Sequence, residues 1–134
     1  MILTQAKSSL LRVNSLNGKL SRFVSELLRT KKVVDEFIER HRPPLHIRQE
    51  LDLGYRVTGQ NVEIFEIRPA WQRPQEKMEH GVAKATFVRR QEIWKIYWLR
   101  ADLKWHSYQP AAQVKSLPAF LSVVEADAHA CFWG

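Results

Sequence analysis

The sequence predicts an α+β domain: a five-stranded antiparallel meander sheet flanked by a long N-terminal helix and a short C-terminal helix. Three observations predict it. Residues 92–108 hold three of the five tryptophans, in two aromatic-rich runs around a turn, the pattern of a β-hairpin. Residues 50–68 and 82–90 add further alternating runs separated by turn chemistry. Apolar residues at three- and four-residue steps place helices before and after these strands. Helix, strands joined by successive hairpins, then helix is the order of an antiparallel meander.

The first twenty residues form a separate helical extension, with residues 21–134 as one domain. Leu3, Ala6, Leu10 and Val13 recur at helical spacing, and Asn17-Gly18 reads as a helix end. The first acidic residue of the chain is Glu26. A basic, serine-containing, acid-free opening has a faint similarity to an organelle transit peptide. A helix that docks on the domain or on a partner, or an upstream start codon, are the commoner explanations.

Ser21 is the expected N-cap of a helix over roughly residues 22–41. Phe23, Leu27, Val34, Phe37 and Ile38 give it an apolar stripe, with Arg29, Lys31, Lys32, Arg40 and Arg42 largely off it. Pro43-Pro44 ends it, because the residue before a proline avoids helical geometry. In the first hairpin Leu51, Leu53 and Tyr55 alternate with Asp52, Gly54 and Arg56. Thr58-Gly59-Gln60-Asn61 makes the turn. The return strand carries Glu63, Phe65 and Ile67 on one face and Ile64, Glu66 and Arg68 on the other. Pro69 ends it, and residues 72–80 read as a mobile loop.

A third strand covers residues 82–90. The strand from 92 to 100 is mostly apolar on both faces, which predicts cover on both sides. A turn at Arg100 to Leu103 leads to a strand from Lys104 to Tyr108, and Pro110 stops the pairing. Ser116 caps the second helix, with Pro118 tolerated in its first turn and an end near Asp127. The terminal Phe132-Trp133 is expected to fold back on the core.

These residues also carry a resemblance. Arg42-Pro43-Pro44, Leu53-Gly54-Tyr55-Arg56, Phe65 to Trp71, Trp94-Lys95-Ile96-Tyr97-Trp98, Lys104 to Tyr108 and the terminal Phe132-Trp133-Gly134 together resemble a family of small bacterial proteins known as domain of unknown function 3024. Six separated motifs agree in order over roughly residues 22–134. The family pattern often has Asn-Gly in the last hairpin turn, where Asp102-Leu103 stands here. The resemblance implies a bacterial origin and brings no activity with it.

Composition bounds the function. The chain has 134 residues, enough for one domain with a real core. A single cysteine, Cys131, excludes an internal disulfide and a thiolate zinc cage. A cytoplasmic location fits this cysteine usage. No apolar run approaches the ~20 residues of a membrane span, and no membrane partner is expected. The net charge of +7 favours an anionic partner such as nucleic acid or another polyanion, with a solvated basic surface as the alternative.

No cofactor or metal is expected. No two of the five histidines stand at the helical spacing that aims a pair of ligands at one ion. Five glycines in all exclude a phosphate-cradling or dinucleotide-binding loop.

Three function classes follow. The favoured one is a non-enzymatic binding module for an anionic partner, using Arg100, Lys104, His106 and Tyr108 with Arg89 and Arg90. Cations interleaved with aromatics suit single-stranded nucleic acid, although aromatics at strand spacing also build cores. The second is a metal-dependent nuclease, in which Glu66 and Arg68 share a strand face beside Asp52, with Lys84 completing the set. Its structural alternative is a Glu–Arg pair that pins strand register. The third is a protein-interaction module or homodimer built on an edge strand or on the helix of residues 1–20.

Overall fold

A computed structural model describes the backbone from Lys7 and the side chains from Gly18. Leu3 and Ala6 lie outside the described residues. The chain forms two compact units, Met1–Lys32 and Val33–Gly134. Helix α1 (Lys7–His41) is the described structure of the first unit and also opens the second. It runs through Gly18 and Ser21 without a break, so the expected helix end and N-cap at these positions are corrected. One interior glycine costs a helix only about 1 kcal/mol. Of the predicted apolar stripe, Val34, Phe37 and Ile38 are buried in the second unit, whereas Phe23 is exposed.

The strands are β1 (Asp52–Thr58), β2 (Asn61–Pro69), β3 (Lys77–Val88), β4 (Ile93–Leu99), β5 (Trp105–Ser107) and β6 (Gln113–Val114), followed by helix α2 (Leu117–Ala126). Strands β1 to β5 are antiparallel neighbours in chain order, and β6 also pairs with β4. The meander is thus as predicted, with one short strand more. Strands β5 and β6 lie along the same edge of β4, the first against residues 97–99 and the second against 94–95. Between them Tyr108 N–H donates to Ile96 O at 2.9 Å and Ile96 N–H to Ala112 O at 3.0 Å. Pro110 sits in a single 3-10 turn, after which the pairing resumes.

Strand β3 begins at Lys77, inside the segment read as a loop. Residues 77–80 are exposed and show no apolar alternation, so their strand state rests on backbone pairing with residues 66–69 of β2. The register shifts between Ile64 and Phe65, opposite Val82.

Register puts Leu53, Val62, Ile64, Ala83, Ala85 and Ile96 on one face. All six belong to one core cluster with Val34 and Phe37 of α1 and Phe120, Leu121 and Val124 of α2. Both helices therefore cover the same face. The predicted two-sided cover of β4 is corrected: on its outer face Lys95 is exposed and Tyr97 and Leu99 are half-buried. That face is instead closed locally by its own side chains. Lys84 Nζ lies 5.1 Å from the Tyr97 ring and 5.2 Å from the Trp105 ring, and the Arg56 guanidinium 4.6 Å from the Phe65 ring.

Gly81 makes this closure possible, since a Cβ there would stand 2.9 Å from the Trp105 ring and 3.2 Å from Leu99. An indole cannot swing aside as a flexible side-chain end does. Gly81→Ala is expected to cost about 1–3 kcal/mol, read as a lower denaturant midpoint. Unchanged stability would mean that Trp105 does not rest on this backbone.

The end of α1 is tied to β1 by charge. Arg42 donates from Nε to Asp52 Oδ1 at 2.7 Å and from Nη2 to Oδ2 at 2.8 Å. The Arg42 guanidinium, helped by the Leu53 N–H, holds the Asp52 carboxyl below its usual range. A carboxylate depressed in the folded state stabilises above its unfolded value, about 3.9. That contribution is lost as pH falls through the lower folded value. Asp52→Asn is therefore expected to flatten the acid-unfolding curve below about pH 4. At neutral pH it should cost about 1.5–3 kcal/mol. An acid limb identical to wild type would contradict the pairing.

Tyr55 OH also donates to Asp35 Oδ1, at 2.7 Å. No helix among the described residues is long and apolar enough to cross a membrane.

Candidate anion-binding cleft

Alternation along β4 and β5 decides which side chains meet. Trp98 pairs with His106 and Leu99 with Trp105, so His106 lies on the inner face with Trp98, while Trp105 lies on the outer face. Leu103, at φ 62, turns the hairpin. Asp102 sits in this turn and accepts twice, from Lys104 N–H at 3.0 Å and through its other oxygen from the His106 ring, Nε2 at 2.8 Å. The His106 contact, and then the Lys104 N–H, keep the Asp102 carboxyl below its ordinary range.

Arg100 follows β4 and is exposed. Its guanidinium carbon lies 5.4 Å from the centre of the Trp98 ring, a cation–π distance. Among the described residues it makes no ion pair.

The C-terminal tail supplies the other wall. Asp127 ends α2 in the left-handed conformation, φ 40 and ψ 51. Its carboxylate accepts from Phe132 N–H and Trp133 N–H, both at 3.0 Å, and Trp133 Nε1 donates to Val124 O at 3.0 Å. Phe132 is buried, as expected, with its ring centre 4.7 Å from that of Tyr108. The turned-back tail brings Cys131 to the hairpin, where its thiol contacts His129 O at 3.7 Å.

The result is an open cleft of about 250 Å³ lined by Trp98, Arg100, His106, Ser107, Tyr108 and Cys131, with Gln109 and Pro110 at its rim. Burial, with the nearby Cys131 and Asp127, pushes the Tyr108 hydroxyl upward, so it stays protonated as a donor.

The structure brings together only part of the predicted binding set. Arg100, His106 and Tyr108 line the cleft. Lys104 is exposed beside it but outside the lining. Arg89 and Arg90 occupy the β3–β4 turn, at the other end of β4 from Arg100. Seven strand residues separate those ends, roughly 20 Å at strand rise. Tyr108 is a core residue with a polar edge at the cleft, not an exposed stacking ring.

The nuclease set is separated. Asp52 lies opposite Ile67, whereas Glu66 lies opposite Leu53, so the two carboxylates are on opposite faces. Asp52 is engaged by Arg42, Glu66 is 3.2 Å from Arg68, and Lys84 is on the outer face. Glu66 instead lines a second cleft of about 340 Å³ with His41, Leu53, Glu125 and Trp133. There His41 Nε2 is 3.2 Å from Glu125 Oε1, off the line of a hydrogen bond. No group of three or more His, Cys, Asp or Glu among the described residues is placed to hold a metal ion.

Sequence reasoning missed Cys131 and Ser107 as cleft residues. The available signal was the terminal Phe-Trp pair, which had to return to the core and carried Cys131 with it.

A family model, Domain of unknown function (DUF3024), matches residues 24–134. The chain belongs to this family. The match covers β1 to β6, α2 and the tail, so the whole cleft lies inside the DUF3024 domain. No curated protein and no solved structure matches the chain.

Proposed function

We propose that this DUF3024 domain is a non-enzymatic binding module that takes an anionic group of its partner into the cleft beside Trp98. The observation that carries this reading is the Arg100 guanidinium, near an indole, exposed and, among the described residues, in no salt bridge, with only the charge of nearby Asp102 acting on it. A planar guanidinium offers forked donors that match phosphate and carboxylate oxygens. The Tyr108 hydroxyl adds a neutral donor at the same wall, and Asp102 orients the His106 ring. Nucleic acid is the partner class that combines phosphate with a stackable base.

The test is a fluorescence titration of the full chain with a single-stranded oligonucleotide at two salt concentrations. Arg100→Ala is expected to weaken binding about tenfold and to lower the salt slope by about one phosphate contact. Equal affinity and an equal slope would place the contact elsewhere on the chain.

A further inference from the structure

The basic character of the chain is not spread over it. Residues 1–32 hold seven of the 21 basic and one of the 14 acidic residues, a net charge of +6. The remaining 14 basic and 13 acidic residues leave 33–134 at +1. The excess charge therefore sits on the first unit, largely ahead of the family match that begins at residue 24.

The same segment exposes apolar side chains. In α1, Leu20 is 60% exposed, Phe23 51%, Val24 49% and Leu28 61%. At 100° per residue these four, with half-buried Leu27, share one side of the helix. Arg22 and Arg29 fall on the opposite side, and Lys19 and Lys32 on its flanks. Lys31 falls within the stripe, where a long stem lets an ammonium reach headgroup level.

We propose that this part of α1 is a membrane-surface anchor, which lies in the interface of a bilayer that carries anionic phospholipid. Charge complementarity selects the occupant. Nucleic acid would neutralise the cations and leave the leucines in water. A second copy would cover the leucines and bring two +6 segments together. An anionic bilayer satisfies both sides of the helix at once, through acyl chains for the stripe and headgroups for the cations. The helix lies on such a surface and does not cross it, being too polar to span.

The full chain is sedimented with vesicles of phosphatidylcholine plus phosphatidylglycerol, and with phosphatidylcholine alone, at low and high salt. It is expected to sediment with the anionic vesicles only, and to be released by salt. Arg22→Ala and Arg29→Ala should each weaken the partition about fivefold. The double variant Leu20→Asp, Val24→Asp should abolish it with an unchanged melting transition, while Arg100→Ala sediments as wild type. Absence of binding to anionic vesicles, or equal binding to neutral ones, overturns the proposal. So does a lipid-free dimer in light scattering that the Leu20→Asp, Val24→Asp variant dissolves without changing sedimentation, because the second copy is then the occupant. Loss of sedimentation in Arg100→Ala would also overturn it, by assigning the anion contact to the cleft.

Discussion

Tyr108→Ala is expected to remove about 3–5 kcal/mol of stability, a fall in melting temperature of roughly 10–20 °C. Tyr108 is 2% exposed and is the largest fully buried side chain of the domain. It fills the space between the β4 edge and the tail, against Phe132. Deleting the ring leaves a cavity that the 3-10 turn and the tail cannot both close. Tyr108→Phe keeps the ring and loses only a hydroxyl at the cleft wall, so its stability should stay within about 1 kcal/mol of wild type. Calorimetry of the two variants separates the roles. Equal losses would mean that the hydroxyl, and not the ring, holds this edge.

Asp127→Ala should cost about 2–4 kcal/mol, because it deletes two charge-assisted bonds and leaves the Phe132 and Trp133 N–H groups without their acceptor. It also places alanine at φ 40, where a Cβ without a local hydrogen bond is strained. Hydrogen exchange should accelerate at residues 131–133 before the strands. Because Cys131 rides on this tail, a thiol reagent should modify it faster than in wild type. Unchanged exchange in the tail would contradict a role for Asp127 as its clamp.

Most of the second unit was legible because its strands and α2 obey local rules. Gly59 stands at the first turn with φ +58, and Ser116 Oγ accepts from Ala119 N–H at 3.2 Å. The illegible parts lack such signals. Residues 77–80 pair by backbone alone, and β6 is two residues long. The apolar outer face of β4 suggested a second layer, yet Gly81 lets Trp105 approach closely enough to cover part of that face from within the sheet. The continuity of α1 through Gly18 was hidden because a glycine that helix propensity tolerates looks the same as one that ends a helix.

The cleft was half legible for a related reason. Arg100, His106 and Tyr108 lie within nine residues and share a hairpin, so alternation placed them. Cys131 arrives from the far end of the chain by way of Asp127, which no local pattern announces. Net charge misled in its location: the +7 reads as a property of the sheet domain until the two units are counted apart.

The central claim is that the Trp98–Arg100 cleft receives the anionic group. Indole N–H resonances of the five tryptophans, followed by NMR during titration with a short single-stranded oligonucleotide, test it most directly. The Trp98 signal should shift saturably and lose that response in Arg100→Ala, while exposed Trp71 stays in place. Shifts confined to the amides of α1, with Trp98 unmoved, would contradict it.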